Sequence, residues 1–190
     1  MIDDAHLLNE SSSNCLLKTL EEPTNAIFIL LTSRFNLLLD TIVSRCQLIR
    51  FKPYSKRELK QYLDDLKLNP NENLVDHKIL DNLILLSNGS PGKLFNNLKI
   101  WNSIPLNIRN SIKSPLKDYE EIFFLAKNIS SELDIYQQEF LIEYIQRNWW
   151  NLTRDKKITE ILEGIKINLN NNIQSRLSWE AGLLKVNLID

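Results

Sequence analysis

The stretch TIVSRCQLIRF, residues 41–51, sets Arg45 and Cys46 among apolar neighbours. A guanidinium is always charged and presents a planar fork of donors that fits phosphate oxygens, so Arg45 is a candidate for anion chemistry. Taken alone it is equally a surface arginine ahead of a strand. Few other residues offer chemistry. Cys15 and Cys46 form no C-x-x-C pair, and His6 and His77 are the only histidines, so neither a zinc site nor a disulfide framework is indicated and the cysteines read as two structural thiols. A nucleotide site needs G-x-x-x-x-G-K-[ST], whose backbone amides and lysine hold the phosphates; none of Gly89, Gly92, Gly164 and Gly182 begins one.

Composition sets the frame. The 190 residues are 43% hydrophobic and 25% charged, enough for a sizeable core in one or two domains, and the net charge of -1 argues against a protein that coats nucleic acid by charge alone. Charge is uneven, however: Arg45, Arg50, Lys52, Lys56, Arg57 and Lys60 face one acid, Glu58, within sixteen positions. Such a run can meet DNA or a partner but is more often a solvated face. The apolar run at 26–31 is too short to span a bilayer, and MIDDAHLL is acidic where a secretory signal is basic, so an intracellular, cytoplasmic protein with no membrane contact is expected.

The elements that must position these residues are mostly helices. Four glycines and an apolar period near 3.6 over most of the chain predict a mainly α fold with an α/β start. LNESSSNCLLKTLEEP predicts a short helix with Leu16, Leu17 and Leu20 on one face and a stop at Pro23. AIFILL (26–31) and CQLIRF (46–51) read as strands, the first a buried parallel strand closing in Thr32, Ser33 and Arg34. After Pro53 three helices are predicted. Ser55 and Glu58 form a capping box ahead of Leu59, Tyr62, Leu63 and Leu66. Ile79, Leu80, Leu83 and Leu86 repeat the pattern. Ser90 caps and Pro91 opens a third helix burying Leu94, Phe95, Leu98 and Trp101. Beyond NSIPLN, amphipathic segments carry Tyr136, Phe140, Leu141 and Tyr144; Ile158, Ile161, Leu162 and Ile165; and Ile173, Leu177, Ala181, Leu184 and Leu188, the pattern of a helical bundle packed by Trp149, Trp150 and Trp179.

Four motifs in order carry a resemblance. IDDAH is similar to a Walker B segment, NCLLKTLEEP to the helix that follows it, LLTS to the end of a sensor 1 strand, and SRC to a trans-acting arginine motif, as in the second half of the AAA+ module of bacterial DNA polymerase III clamp loaders. NNIQSRLSWEAGLLKV is similar to the last helix of their collar. The resemblance implies a mainly α chain with a partial α/β AAA+ base remnant at 1–52, a three-helix lid at 53–101 and a helical collar bundle for oligomerisation at 102–190. Of the subunit types, those that hydrolyse ATP (gamma and tau) carry a sensor 2 arginine in a G-S-x-R pattern. Here Gly89, Ser90, Pro91 and Gly92 leave a glycine in its place, as in the delta-prime type; a gamma/tau-type ATPase lacking its N-terminus is the alternative.

On this resemblance Arg45, flanked by Ser44 and Cys46, reaches in trans to the γ-phosphate of ATP on a neighbouring subunit. Asp3 and Asp4 are Walker B-like carboxylates without phosphates to organise magnesium, and Thr32 and Ser33 are sensor 1-like residues reduced to closing a strand. No cofactor or metal is expected in this chain. The implied partners are other loader subunits, gamma/tau and delta, and through them the sliding clamp and primed DNA in replication; no activity is expected of the chain alone. The chain resembles a family member without the first half of its base domain. In a 5-1-4-3-2 sheet order the two strands would then lack the strand between them and expose unpaired edges.

Overall fold

The structure is a computed structural model that describes residues 1–22, 25–66 and 76–189, so the predicted stop at Pro23 lies outside the described residues. The chain forms two units, Met1–Lys52 and Pro53–Asp190. The fold is mainly α-helical, with ten α-helices and no strand among the described residues.

In the first unit, α1 (Glu10–Glu21) starts where the Asn9 side chain accepts the Ser12 amide at 2.8 Å, and it buries Leu16 with Leu17 and Leu20 half-buried beside it. The short α2 (Asp40–Val43) buries Ile42. The two predicted strands do not form. Residues 26–31 make a single parallel bridge, Ile2 with Leu30, in which Ile2 N donates to Ile29 O and Leu31 N to Ile2 O, both at 2.8 Å. Ala5 N adds a bond to Leu31 O at 2.9 Å. Among the described residues nothing pairs with the other edge, and Ile27 is 88% exposed rather than buried. The segment 47–51 has no regular structure and no backbone hydrogen bond among the described residues, and Phe51 is likewise 88% exposed. Apolar composition favours a strand only where a ladder partner takes up its amides and carbonyls. Of the apolar side chains described here, only Ala5, Leu16 and Ile42 are fully buried, which is little core for fifty residues.

The second unit is held by one continuous core. Its helix starts follow local chemistry. Ser55 and Glu58 make the reciprocal capping box that opens α3 (Lys56–Asp65). Asp76 caps α4 (His77–Leu86), and Ser90 caps α5 (Pro91–Ser103), with Pro91 needing no amide partner at the first position. Leu59 and Leu63 of α3 meet Leu80, Leu83 and Ile84 of α4 and Leu94, Ile100 and Trp101 of α5; Tyr62, Ile79, Leu86, Phe95 and Leu98 are less buried, and Leu66 is exposed. The same core continues through α6 (Leu106–Ser111), α7 (Tyr119–Glu132), α8 (Ile135–Thr153), α9 (Lys156–Asn170) and α10 (Ser175–Asn187).

Buried polar groups fasten the connections. Trp149 Nε1 donates to Ile112 O at 2.9 Å and Asn148 Nδ2 to Lys113 O at 3.0 Å, pinning the turn after α6. Asn187 Nδ2 donates to Lys117 O at 2.8 Å. The predicted face of α10 is corrected. Its core side carries Ser178, Trp179, Gly182, Leu183 and Val186, while Ile173, Leu177, Ala181 and Leu188 are exposed and Leu184 is half-buried. Two features outweigh the leucine stripe. Trp179 has its indole N–H satisfied by Gln138 at 3.0 Å, and Gly182 admits Ile165 so closely that a Cβ there would stand 2.3 Å from its Cδ1. Trp150 is the exposed member of the tryptophan cluster. No described helix is long and apolar enough to cross a membrane.

Gly89 joins the turn between α4 and α5 to the entry of the unit. It has φ +79°, its carbonyl accepts Tyr54 N at 2.9 Å, and a Cβ would fall 2.5 Å from Pro53 Cβ. Gly89→Ala should therefore lower unfolding free energy by about 1–3 kcal/mol, whereas Gly92→Ala, whose Cβ meets nothing within 4 Å, should be neutral or slightly stabilising. Urea denaturation followed by circular dichroism reads both. Limited proteolysis should cut first within 1–52, where few backbone groups are paired, and spare the helical unit.

Candidate functional site

Arg45 follows Ser44, the cap residue of α2, and its backbone N donates to Ile42 O at 3.1 Å. Its side chain folds back: Nη1 donates to Thr41 O at 3.0 Å and Nη2 pairs with Glu21 at 2.5 Å. The Arg45 side chain is 38% exposed and that of Glu21 more so, which makes this a solvent-screened pair. Ser44, exposed at the surface, donates its hydroxyl to Thr41 O at 3.0 Å and so stabilises the turn. Cys46 is half-buried, and both it and the exposed Cys15 are free thiols.

The Walker B-like and sensor 1-like segments come together through the single bridge. Because Ile2 lies beside Leu30, the chain just after each reaches the same place: Thr32 Oγ1 is 3.1 Å from His6 Nδ1, which is 3.9 Å from Asp4 Oδ1. Thr32 also accepts Arg34 N at 3.0 Å. Asp4 sits in the left-handed region, φ 48°, and its amide bonds to Asp3 Oδ1 at 2.9 Å. Ser33 is exposed, and no hydrogen bond joins it to this cluster among the described residues. The arrangement brings together Asp3, Asp4, His6 and Thr32, while Arg45 is held by a separate set. Two carboxylates and one imidazole are thin provision for a cation, and no group of three or more ligating side chains suited to a metal ion occurs among the described residues.

Sequence reasoning missed His6 and Glu21. A lone histidine in a short 3-10 turn carries no ligand pattern, and Glu21 lies twenty-four positions from Arg45, so no local spacing links them. The basic run is also dispersed. Arg50 stacks on Phe35 with Cζ 5.8 Å from the ring, and Lys56 and Lys60 each lie 2.7 Å from Asp81, the second without hydrogen-bond geometry. Burial pushes the Asp81 carboxyl up, but the two ammonium groups prevail and hold it below the usual range. This pairing therefore contributes stability at neutral pH that is lost as pH falls through that lowered value.

In the sensor 2-like turn, Gly89 makes the tight φ > 0 bend, Ser90 Oγ accepts Lys93 N at 3.3 Å, and Pro91 starts α5. Gly92 is exposed with open space where a side chain would be. Gly89, Ser90 and Pro91 thus each have a local structural task in starting the helix, and Gly92 has none.

Comparison with known proteins bears on both units. Residues 58–186 match the family model described as cyanobacterial DNA polymerase III delta prime, C-terminal domain, and residues 1–55 match that of the DNA polymerase III delta subunit. The chain is 36% identical over 124 residues to DNA polymerase III subunit gamma/tau of Mycoplasma genitalium, covering 65% of this chain and 20% of that protein. It is 35% identical over 72 residues to subunit delta' of Bacillus subtilis, covering 37% and 22%. With subunit tau of the same organism it shares 49% identity over 53 residues, 27% and 9%. The chain spans about a fifth of the length of the gamma/tau relatives it matches.

An arginine held only by an exposed carboxylate and one carbonyl has little structural work. Arg45→Ala should change the unfolding free energy of the chain by less than about 1 kcal/mol in equilibrium denaturation. A loss of several kcal/mol would make Arg45 a structural residue.

Proposed function

The chain belongs to the DNA polymerase III delta-prime family of clamp-loader subunits, and from that premise we propose that it serves in replication as a non-hydrolysing subunit that completes the ATP site of a neighbour with Arg45. The observation that carries the reading is the state of the Arg45 side chain. Its side chain is partly exposed, stands in the middle of the Ser-Arg-Cys turn that ends a short helix, and is engaged by a surface pair worth about 0–1 kcal/mol. It can leave that pair at small cost for a stronger anion. A triphosphate of a facing subunit is such an anion, and a guanidinium fork matches charge spread over the γ-phosphoryl oxygens in the transition state. Arginines acting in this way contribute about 10³ to 10⁵ in rate.

The proposed division of labour is a base at 1–52, a lid at 53–101 and a collar at 102–190. The stripe Ile173, Leu177 and Leu188, exposed in the single chain, supports assembly through the collar with gamma/tau and delta subunits. Sliding clamp and primed DNA are reached through those partners, in the cytoplasm. A second reading, a gamma/tau-type ATPase, draws on the gamma/tau relatives. Against it stands the glycine at 92, where an ATP-binding relative would offer a cation.

The test is reconstitution with the gamma/tau and delta subunits. Arg45→Ala should leave assembly on a sizing column intact and reduce DNA-stimulated ATP turnover at least tenfold; Arg45→Lys should also be impaired, because a point charge does not reproduce the fork. Unchanged turnover would overturn the trans role. Saturable heat on titrating ATP into the chain alone would favour the second reading.

A further inference from the structure

We propose that the cleft between the α4–α5 turn and the α8–α9 corner binds single-stranded nucleic acid. The cleft, of about 870 Å³, is open, and its lining includes Lys93, Arg147, Trp150, Arg154, Lys156 and Thr159. That volume lies within the range of about 300–1,000 Å³ found for ligand pockets, room for a nucleotide unit. Of the twelve lining residues four are cations and one is an acid, in a chain of net charge -1.

The acids nearby are already engaged. Glu143, the one acid in the lining, bonds Lys166 at 2.9 Å, and its hydrogen bond holds that ammonium above its ordinary range. Glu163 accepts Gln146 Nε2 at 3.0 Å, and Asp155 accepts the Lys157 amide at 2.7 Å as the cap of α9. Lys156 is shared with Glu160 at 3.0 Å in an exposed pair that salt screens. Lys93, Arg147 and Arg154 have no carboxylate within ion-pair distance among the described residues.

Two polar atoms of the lining, Arg147 Nε and Thr159 Oγ1, are shut off from solvent without a hydrogen-bond partner in the protein. Both can donate, and an unpaired buried donor costs stability, so a small shift of these side chains toward an anion in the cleft is favoured. Trp150 is 39% exposed, while Trp101, Trp149 and Trp179 are buried; the Arg154 guanidinium lies 5.9 Å from its ring centre. An indole face beside cations is a stacking platform for a base, and every base has a π-face to offer. Arg154 ends α8 at φ 56°, a position where glycine is the usual residue, so the cation stands there at some cost to the backbone. Charge alone would suit any polyanion; the aromatic face selects unstacked bases over a duplex, whose bases are stacked on one another, or an acidic peptide.

The experiment is fluorescence anisotropy of a labelled oligo(dT) 12-mer titrated with the full chain at low salt. Saturable binding is expected, with a slope of log affinity on log salt of about -0.7 per phosphate neutralised, and with quenching of the Trp150 emission. Arg147→Gln combined with Arg154→Gly should weaken binding at least tenfold and flatten the salt slope. Arg154→Gly alone should weaken binding while raising Tm, a pair of effects that a misfolded variant does not give. Lys52→Gln with Arg57→Gln, outside the cleft, should change nothing. The proposal is overturned by no saturable binding, by affinity insensitive to the cleft variants, or by equal affinity for a duplex, for ATP alone or for polyglutamate. None of these outcomes depends on the role of Arg45.

Discussion

One buried amide organises the helical unit. Gln138, 2% exposed near the start of α8, accepts Trp179 Nε1 at 3.0 Å and Ser175 Oγ at 2.6 Å through one oxygen, and donates to Leu133 O at 2.9 Å. The residue thereby fixes the end of α7 and the start and middle of α10 against α8. Its removal would leave an indole N–H and a carbonyl unpaired out of water, at about 1–3 kcal/mol for each group. The rest follows from α10 being held there. Gly182 is brought against Ile165 of α9, and Asn187 reaches the Leu116 and Lys117 carbonyls. At the far end of α8, Asn148 and Trp149 hold the turn after α6, and the same helix presents Arg147 and Trp150 to the cleft. One rigid helix therefore serves both the core and a candidate binding surface.

The two units differ in how much physical chemistry constrains them. From Pro53 onward, capped helices close their own hydrogen bonds and share a core running from Leu59 to Val186. The first unit has three fully buried apolar residues among those described and one parallel bridge, yet that bridge is what carries Asp4, His6 and Thr32 to one place. Arg45 is held by a screened pair with Glu21 and a carbonyl. A group meant to act on another subunit's substrate has to be available to it, and weak local tethering supports that role on the proposed reading.

Legibility in the sequence tracked the range of the forces involved. The Ser55–Glu58 box and the Ser90–Pro91 start are decided within four residues and could be read directly. Periodicity located α3, α4, α5, α8 and α9, since an apolar stripe is a local record of a long-range contact. It failed on α10, where the stripe of Ile173, Leu177 and Leu188 is exposed and the buried side is chosen by one hydrogen-bonded tryptophan and one close-packed glycine. It passed over α7, although Asp118 at its cap and Ile122, Leu125, Ala126 and Ile129 on its face carried the usual signal. The strands at 26–31 and 46–51 were overread because composition speaks for an edge partner that the backbone does not have. Within the candidate site, Arg45 was singled out by its motif, and its role in trans is the proposal made above. The ties to Glu21 and His6 were not legible, because contacts between distant positions leave no spacing to read.

The central claim is that Arg45 exchanges its own chain's carboxylate for a neighbour's phosphate. Cryo-electron microscopy of the chain assembled with gamma/tau and delta subunits, with primed DNA and a non-hydrolysable ATP analogue bound, observes that exchange directly. The account predicts the Arg45 guanidinium at about 3 Å from γ-phosphate oxygens of the facing subunit, separated from Glu21. An Arg45 still paired with Glu21, with a different residue on the phosphate, would contradict it.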